Sequence, residues 1–74
     1  MIRELESVVL ETDLPAAGLK RGDIGTVVML HKDGEGAEVE FVTLDGETVA
    51  VVTLRVSQMR PIRHGEIAHA RSVA

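Results

Sequence analysis

The sequence predicts a small all-β domain. Three runs rich in β-branched residues fill residues 19–54, and two Asp-Gly pairs, Asp33-Gly34 and Asp45-Gly46, separate these runs. An Asp-Gly pair between alternating apolar runs is the strongest short-range signal for a β-hairpin. The middle of the chain is therefore predicted to form a three-stranded antiparallel meander.

The elements before the meander follow from its glycines and prolines. A first strand is predicted within residues 6–12, whose centre is apolar, and Pro15 follows it. Proline fixes φ and has no backbone donor, so it breaks the strand. Gly22 is predicted to turn the chain into its longest strand, residues 24–31. Gly25 inside that strand indicates a bulge or the close approach of another backbone.

The two Asp-Gly turns also predict the register of the meander. With two-residue loops, directly opposed residues share one face of the sheet. Both turns then predict one inner face, composed of Thr26, Val28, Leu30, Ala37, Val39, Phe41, Ala50, Val52 and Leu54. A three-residue loop at Asp33-Gly34 would instead turn every side chain of strand 24–31 to the other face.

The predicted outer face is mixed in character, carrying Val27, Met29, Glu38, Glu40, Val42, Val49, Val51 and Thr53. A sheet with one solvated face normally carries polar residues there. Two explanations remain open at this point. The first strand and the loops of the chain cover the apolar positions, or these positions form a surface for a partner or for self-association.

The end of the chain completes the predicted architecture. Residues 55–59 fit one helical or 3-10 turn, and residues 60–62 fit a short last strand in which Pro61 requires an edge position. Five short strands with one helical turn before the last are typical of an SH3-like barrel. We therefore predict a barrel domain over residues 1–62 and a tail over residues 63–74 that is mobile or ordered only by contacts.

Composition narrows the range of possible functions. The 74 residues allow one small domain, and the absence of cysteine excludes disulfides and thiolate metal sites. No apolar run approaches the roughly 20 residues of a transmembrane helix, and the first residues lack the pattern of a signal peptide. A cytoplasmic location is therefore expected. The net charge of −4 disfavours nucleic-acid binding and permits a basic partner.

No residue pattern predicts catalysis, a metal or a cofactor. His64 and His69 are five residues apart, which places them on different faces of a helix, and His31 is predicted to be a solvated turn residue. The serines have no histidine at a suggestive spacing to activate them. Glu38 and Glu40 share a strand face as paired carboxylates, but exposed acids on a strand are usually only solvated.

Four segments in order suggest a family: RELESVVLETDLP, GLKRGDIGTVV, AEVEFVTLDGETVAVVTL and MRPI. Over residues 2–62 the chain resembles a bacterial family of small proteins known only as a domain of unknown function. Ala37 departs from the resemblance, since the family often has an aromatic residue there. The resemblance implies an SH3-type barrel, akin to those of KOW-type ribosome and transcription factors and of the nitrile hydratase β chain.

The resemblance also implies a setting of toxin–antitoxin or other paired modules, and it brings no catalytic residues. We therefore expect a non-catalytic module that binds another protein, as the acidic neutralising partner of a basic toxin, nuclease or other enzyme. The predicted binding residues are Glu38, Glu40, Val42, Glu47, Val49 and Val51.

Three alternatives remain. One is a KOW-like module for nucleic acid or the ribosome, which would use Lys20, Arg21, Gly22, Arg55, Arg60 and Arg63. Another is an accessory subunit that packs against an enzyme. Self-association as a homo-oligomer is the third.

Overall fold

The computed structural model describes residues 2–73, so Met1 and Ala74, at the ends of the predicted barrel and tail, lie outside the described residues. Over this range the chain forms five β-strands and two 3-10 helices, and no helix is long and apolar enough to cross a membrane. The strands are β1 (Ser7–Leu10), β2 (Ile24–Leu30), β3 (Gly36–Val42), β4 (Thr48–Arg55) and β5 (Met59–Pro61). The 3-10 helices are Pro15–Ala17 and Val56–Gln58.

All five strands belong to one antiparallel sheet in the order β4-β3-β2-β1-β5. The all-β class, the five strands and the 3-10 turn before the last strand are thus confirmed. Closure of the sheet into a barrel is not: β5 is three residues long and pairs with β1, and it does not pair with β4. Within the described part of the chain, β4 and β5 are therefore the two edges of an open sheet.

The register between β3 and β4 follows the prediction over most of its length. The predicted pairs that occur are Ala37 with Leu54, Val39 with Val52, and Phe41 with Ala50. Beyond Phe41 the register shifts, so that Val42 lies opposite Thr48 and not opposite Val49 as predicted. Such a bulge inserts one extra residue and locally changes the direction of the side chains.

A second bulge corrects the predicted faces of β2. Leu30 lies opposite Ala37 as predicted, but the register shifts between Val27 and Met29, which brings Val27 opposite Val39. Val27 is consequently buried and Val28 is 42% exposed. The prediction had Val28 inside and Val27 outside, and this was wrong because one extra residue exchanges the faces.

The core lies on the inner face of the sheet and is almost entirely aliphatic. Its buried members are Val8, Leu10, Leu19, Val27, Ala37, Val39, Phe41, Leu54 and Met59. Gly25 is buried against this core. A β-carbon added at Gly25 would lie 2.7 Å from Cγ1 of Val39 and 3.0 Å from the backbone oxygen of Glu40. The predicted close approach of another backbone at Gly25 is therefore confirmed.

The tail that follows β5 contains no helix or strand over residues 62–73. Two side-chain contacts attach it to the domain. The guanidinium of Arg60 donates to both carboxylate oxygens of Glu66, at 2.8 and 2.6 Å. The guanidinium of Arg71 donates to Asp23 at 2.8 Å and to the carbonyl oxygen of Gly18 at 3.0 Å. Contacts therefore position the tail, and its mobility in solution stays a prediction.

Candidate protein-interaction surface

Two carboxylates lie side by side on the face of β3 and β4 that points away from the core. In the observed register Glu38 is opposite Thr53 and Glu40 is opposite Val51, so all four side chains share one face. We call these four residues the outer face. Val51, the apolar member of the outer face, is 55% exposed. The outer face therefore combines two acids, one apolar side chain and one hydroxyl.

A hydrogen-bond network holds the carboxylate of Glu38. Nε2 of His31 lies 2.7 Å from one carboxylate oxygen, and the hydroxyl of Thr53 donates to the other at 2.8 Å. These two contacts, with that of His31 the stronger, lower the pKa of Glu38 below its ordinary value. Glu38 is consequently ionised over the physiological range and has a defined orientation.

His31 itself differs from its prediction as a solvated turn residue. Its side chain is partly buried and contacts Glu38 across the hairpin between β2 and β3. The register of the hairpin could have indicated this contact. Leu30 lies opposite Ala37, so the next residues, His31 after Leu30 and Glu38 after Ala37, are diagonal neighbours. A histidine and a glutamate at such positions can pair even though they are seven residues apart.

The other two predicted acids occupy different surroundings. Glu40 accepts a hydrogen bond from the hydroxyl of Thr48 at 2.8 Å, so it too is held on the surface of the sheet. Glu47 is exposed at the end of the hairpin between β3 and β4, where its backbone N–H donates to the hydroxyl of Thr43. The structure thus brings Glu38 and Glu40 together and places Glu47 at the adjoining turn.

The three predicted valines do not form one surface. Val51 alone lies with Glu38 and Glu40 on the outer face. Val49 is partly buried and packs against the core, which corrects its assignment to the outer face. The reason is the bulge next to Phe41. The prediction assumed a two-residue loop and a regular register without a bulge.

Val42 and Val49 instead line a groove between the sheet and the tail. This groove has a volume of about 1050 Å³ and is open to solvent. Its apolar lining includes Phe41, Ile62 and Ile67 as well. The sequence did not indicate the groove, because the tail has no periodicity from which its position on the domain follows.

Comparison with known proteins places the chain in a family. The model of a family described as Domain of unknown function (DUF4926) matches residues 4–61. This range covers every strand of the sheet. The chain belongs to the DUF4926 family. The expected membership in a small family known only as a domain of unknown function is thereby confirmed. No curated protein and no solved structure matches the chain significantly.

The DUF4926 match ends where β5 ends, so the tail lies outside it. The groove between sheet and tail is therefore formed partly by residues that do not belong to the matched region. The outer face, in contrast, lies wholly within it. For this reason we regard the outer face as the primary candidate site of this DUF4926 domain.

The basic residues that a nucleic-acid module would use lie in different elements of the chain. Arg60 is engaged by Glu66 at 2.6 Å and by Glu11 at 3.4 Å. Lys20 and Arg21 lie in the loop before β2, whereas Arg55 lies at the end of β4. Phosphate recognition requires several available cations along one surface. The alternative of a nucleic-acid module therefore gains no support from the arrangement of these residues.

Metal-binding residue types are also dispersed. Among residues 2–73, no three histidine, aspartate or glutamate side chains come together in an arrangement that could hold a metal ion. The contact between His31 and Glu38 involves one histidine and one carboxylate, and its third partner is the hydroxyl of Thr53. The chemistry available on the outer face is thus charge and hydrogen bonding.

Proposed function

We propose that this DUF4926 domain is a non-catalytic cytoplasmic module that binds a basic protein through its outer face. The observation that carries this proposal is the arrangement of Glu38 and Glu40, two oriented carboxylates on β3 that lie opposite the exposed Thr53 and Val51 of β4. The proposed role is that of an antitoxin-like or immunity-like neutralising partner, which acts by covering the basic surface of a toxin, nuclease or other enzyme.

The arrangement of the two carboxylates suits recognition of cations. Each is held by a hydroxyl, Glu38 by Thr53 and Glu40 by Thr48, so binding orders few additional rotamers. Charged groups at an interface increase the rate of encounter and select partners of opposite charge. The net charge of −4 adds a long-range attraction for a basic protein.

Val51 supplies the apolar contact that carboxylates alone lack. Interfaces between proteins generally place an apolar centre within a polar rim. On the outer face Val51 lies directly opposite Glu40. Thr53 is two residues further along β4, so its side chain is on the same face. An aliphatic side chain of the partner can contact Val51 while its basic side chains reach the carboxylates.

The first experiment identifies and measures the partner. The tagged domain is used to capture proteins from a nuclease-treated lysate of its own cells, and the dissociation constant of the captured basic protein is then measured at low and high salt. We expect Glu40→Gln to weaken binding roughly three- to tenfold at low salt, which corresponds to about 0.7–1.4 kcal/mol. Glu35→Gln is the matched control, because Glu35 is exposed in the turn between β2 and β3.

Three results would contradict the proposal. One is recovery of RNA or ribosomes in place of a protein, with binding that falls steeply as salt rises. A second is a bound protein of acidic character. The third is equal loss of affinity in Glu40→Gln and Glu35→Gln, which would show that only the total charge of the domain matters and not its outer face.

A further inference from the structure

The outer edge of β4 is open. In the described part of the chain β4 pairs with β3 and with no other strand, and it is the longest strand, with eight residues. No backbone hydrogen bond from elsewhere in residues 2–73 reaches the free side of this strand. A row of peptide groups on β4 is therefore available to another strand.

The register shows which peptide groups these are. The N–H of Val56 donates to the carbonyl oxygen of Glu35 at 3.0 Å, and this pair continues the register of β3 and β4. In an antiparallel ladder, hydrogen-bonded pairs alternate with pairs that are not hydrogen-bonded. Hydrogen-bonded pairs therefore recur at every second residue from the pair of Glu35 and Val56. Val52 belongs to this series and bonds to β3. Val51 and Thr53 do not, so they direct their N–H and C=O groups away from β3.

The two edges of the sheet differ in their protection. Natural proteins block edge strands by making them short, by placing proline or lysine in them, or by covering them. The β5 edge has three residues and contains Pro61. The β4 edge has no proline or lysine, and its one charged residue, Arg55, is at its end. The 3-10 helix Pro15–Ala17 approaches β4, but it makes no backbone hydrogen bond to this strand, and Val51 is 55% exposed. The sheet is therefore blocked at β5, while within residues 2–73 the peptide groups of β4 are unpaired on its free side.

We propose that the β4 edge binds an extended strand of the partner, in which basic and apolar residues alternate. This inference rests on the proposed function and specifies the part of the basic protein that is recognised. The added strand would extend the sheet by hydrogen bonds to the outward peptide groups of Val51 and Thr53, the mode of recognition known as β-augmentation.

Charge determines the outward residues of the added strand. Adjacent strands are about 4.8 Å apart, so the added strand would lie about 10 Å from β3, on which Glu38 and Glu40 are located. Lysine and arginine side chains opposite Val51 and Thr53 are long enough to extend over β4 to these carboxylates. The residues between them would face the same side as Ala50 and Val52, which are partly buried against the core, and these residues should therefore be apolar.

A second copy of the chain fits this edge less well. Antiparallel pairing of two β4 strands would place the threonine and valine side chains of one copy beside the outer face of the other. Each copy would then offer one cation, Arg55 at the end of β4, to the two carboxylates Glu38 and Glu40 of the other copy. A basic strand satisfies both the peptide groups and the carboxylates, and we therefore favour it over self-association.

The test uses a defined probe, a fluorescein-labelled nine-residue peptide of alternating lysine and valine, with a glutamate–valine peptide for comparison. Val51→Pro removes the outward N–H, and proline is tolerated at an edge where that group has no partner in the domain. Val51→Thr is the matched control, because it retains both the N–H and the β-branched shape. We expect the lysine–valine peptide to bind the wild type and Val51→Thr, and to bind Val51→Pro at least tenfold more weakly.

The charge requirement is tested with the same peptides. The glutamate–valine peptide should bind the wild type at least tenfold more weakly than the lysine–valine peptide, and Glu40→Gln should reduce this difference. In the wild type, addition of the lysine–valine peptide should slow amide hydrogen exchange at Val51 and Thr53. This exchange measurement needs no variant, so the test remains decisive even if Val51→Pro fails to fold.

Several outcomes would overturn the inference. If Val51→Pro is folded and binds the lysine–valine peptide as the wild type does, the edge is not the binding element. The proposed function would still be supported in that case if Glu40→Gln weakened capture of the basic protein. Absence of exchange protection at Val51 and Thr53 would also overturn it, as would a wild-type dimer that Val51→Pro converts to a monomer, since a second copy would then occupy the edge.

Discussion

Replacement of Gly25 by alanine should strongly destabilise the domain. The β-carbon of an alanine at this position would lie 2.7 Å from Cγ1 of Val39, 2.8 Å from Cε2 of Phe41 and 3.0 Å from the carbonyl oxygen of Glu40. Favourable contacts between carbon atoms lie near 3.5–4.0 Å. Two core side chains would therefore have to move by about 1 Å, while the Glu40 carbonyl is part of the backbone of the central strand β3.

The size of the effect follows from these contacts. Insertion of one methyl group into a packed core typically costs about 1–3 kcal/mol. Because the obstacles at Gly25 include a backbone atom as well as two side chains, we expect the upper part of this range, about 2–3 kcal/mol. Domains of this size rarely exceed about 3–5 kcal/mol of net stability, so the loss would be about 40% of it or more. The corresponding decrease in Tm is about 10–20 °C.

Urea unfolding followed by far-ultraviolet circular dichroism is the suitable assay, because the chain contains no tryptophan or tyrosine for fluorescence. The control is the double variant Gly25→Ala/Val39→Ala, in which one of the obstructing atoms is removed. The double variant should lose less free energy of unfolding than the sum of the two single changes. Additive losses, or a Gly25→Ala variant within about 0.5 kcal/mol of the wild type, would refute the reasoning.

Two further predictions concern the tail. Arg71→Gln removes the ionic contact with Asp23, so trypsin should cleave after Arg63 faster than in the wild type; equal rates would show that this contact does not hold the tail. The guanidinium of Arg60, with the backbone N–H of Arg63 as the next contribution, lowers the pKa of Glu66 from 4.5 to about 2. The stability that these contacts of Glu66 contribute should therefore be fully present above pH 4.5 and be lost as the pH falls through about 2. A carboxyl titration by NMR that gave an ordinary pKa for Glu66 would contradict this prediction.

Much of the meander could be predicted from local signals. The turn at Asp45-Gly46 and the alternation along β3 and β4 together gave the correct pairing from Ala37 with Leu54 to Phe41 with Ala50. Burial and turn chemistry agree over this stretch, so one register satisfies both. Closure into a barrel could not be predicted in the same way, because it depends on how far a three-residue strand, Met59–Pro61, extends.

The faces of β2 could not be predicted for a specific reason. Val27, Val28 and Met29 are all apolar, so alternation gives no sign of which of them faces the core. A bulge among three apolar residues leaves the hydrophobic pattern unchanged and alters only the pairing. The outcome therefore depends on packing against Val39, which is a contact between strands and not a property of the local sequence.

The candidate site was predicted in part. Glu38 and Glu40 are two residues apart on a strand, and this spacing alone places them on one face. The assignment of Val49 failed at the bulge beside Phe41. The contact of Arg71 with Asp23 was missed because it joins residues 48 positions apart, and a single ion pair at that distance in sequence leaves no periodic pattern.

The bulge in β2 has a consequence for the chain lengths that this fold can accept. Before the bulge Val27 pairs with Val39, and after the bulge Met29 pairs with Glu38. Val28 lies between them and has no paired residue on β3. A chain one residue shorter at this point could form a regular ladder with every remaining side chain on its present face. A second strand that is one residue shorter is therefore compatible with the same core and the same outer face.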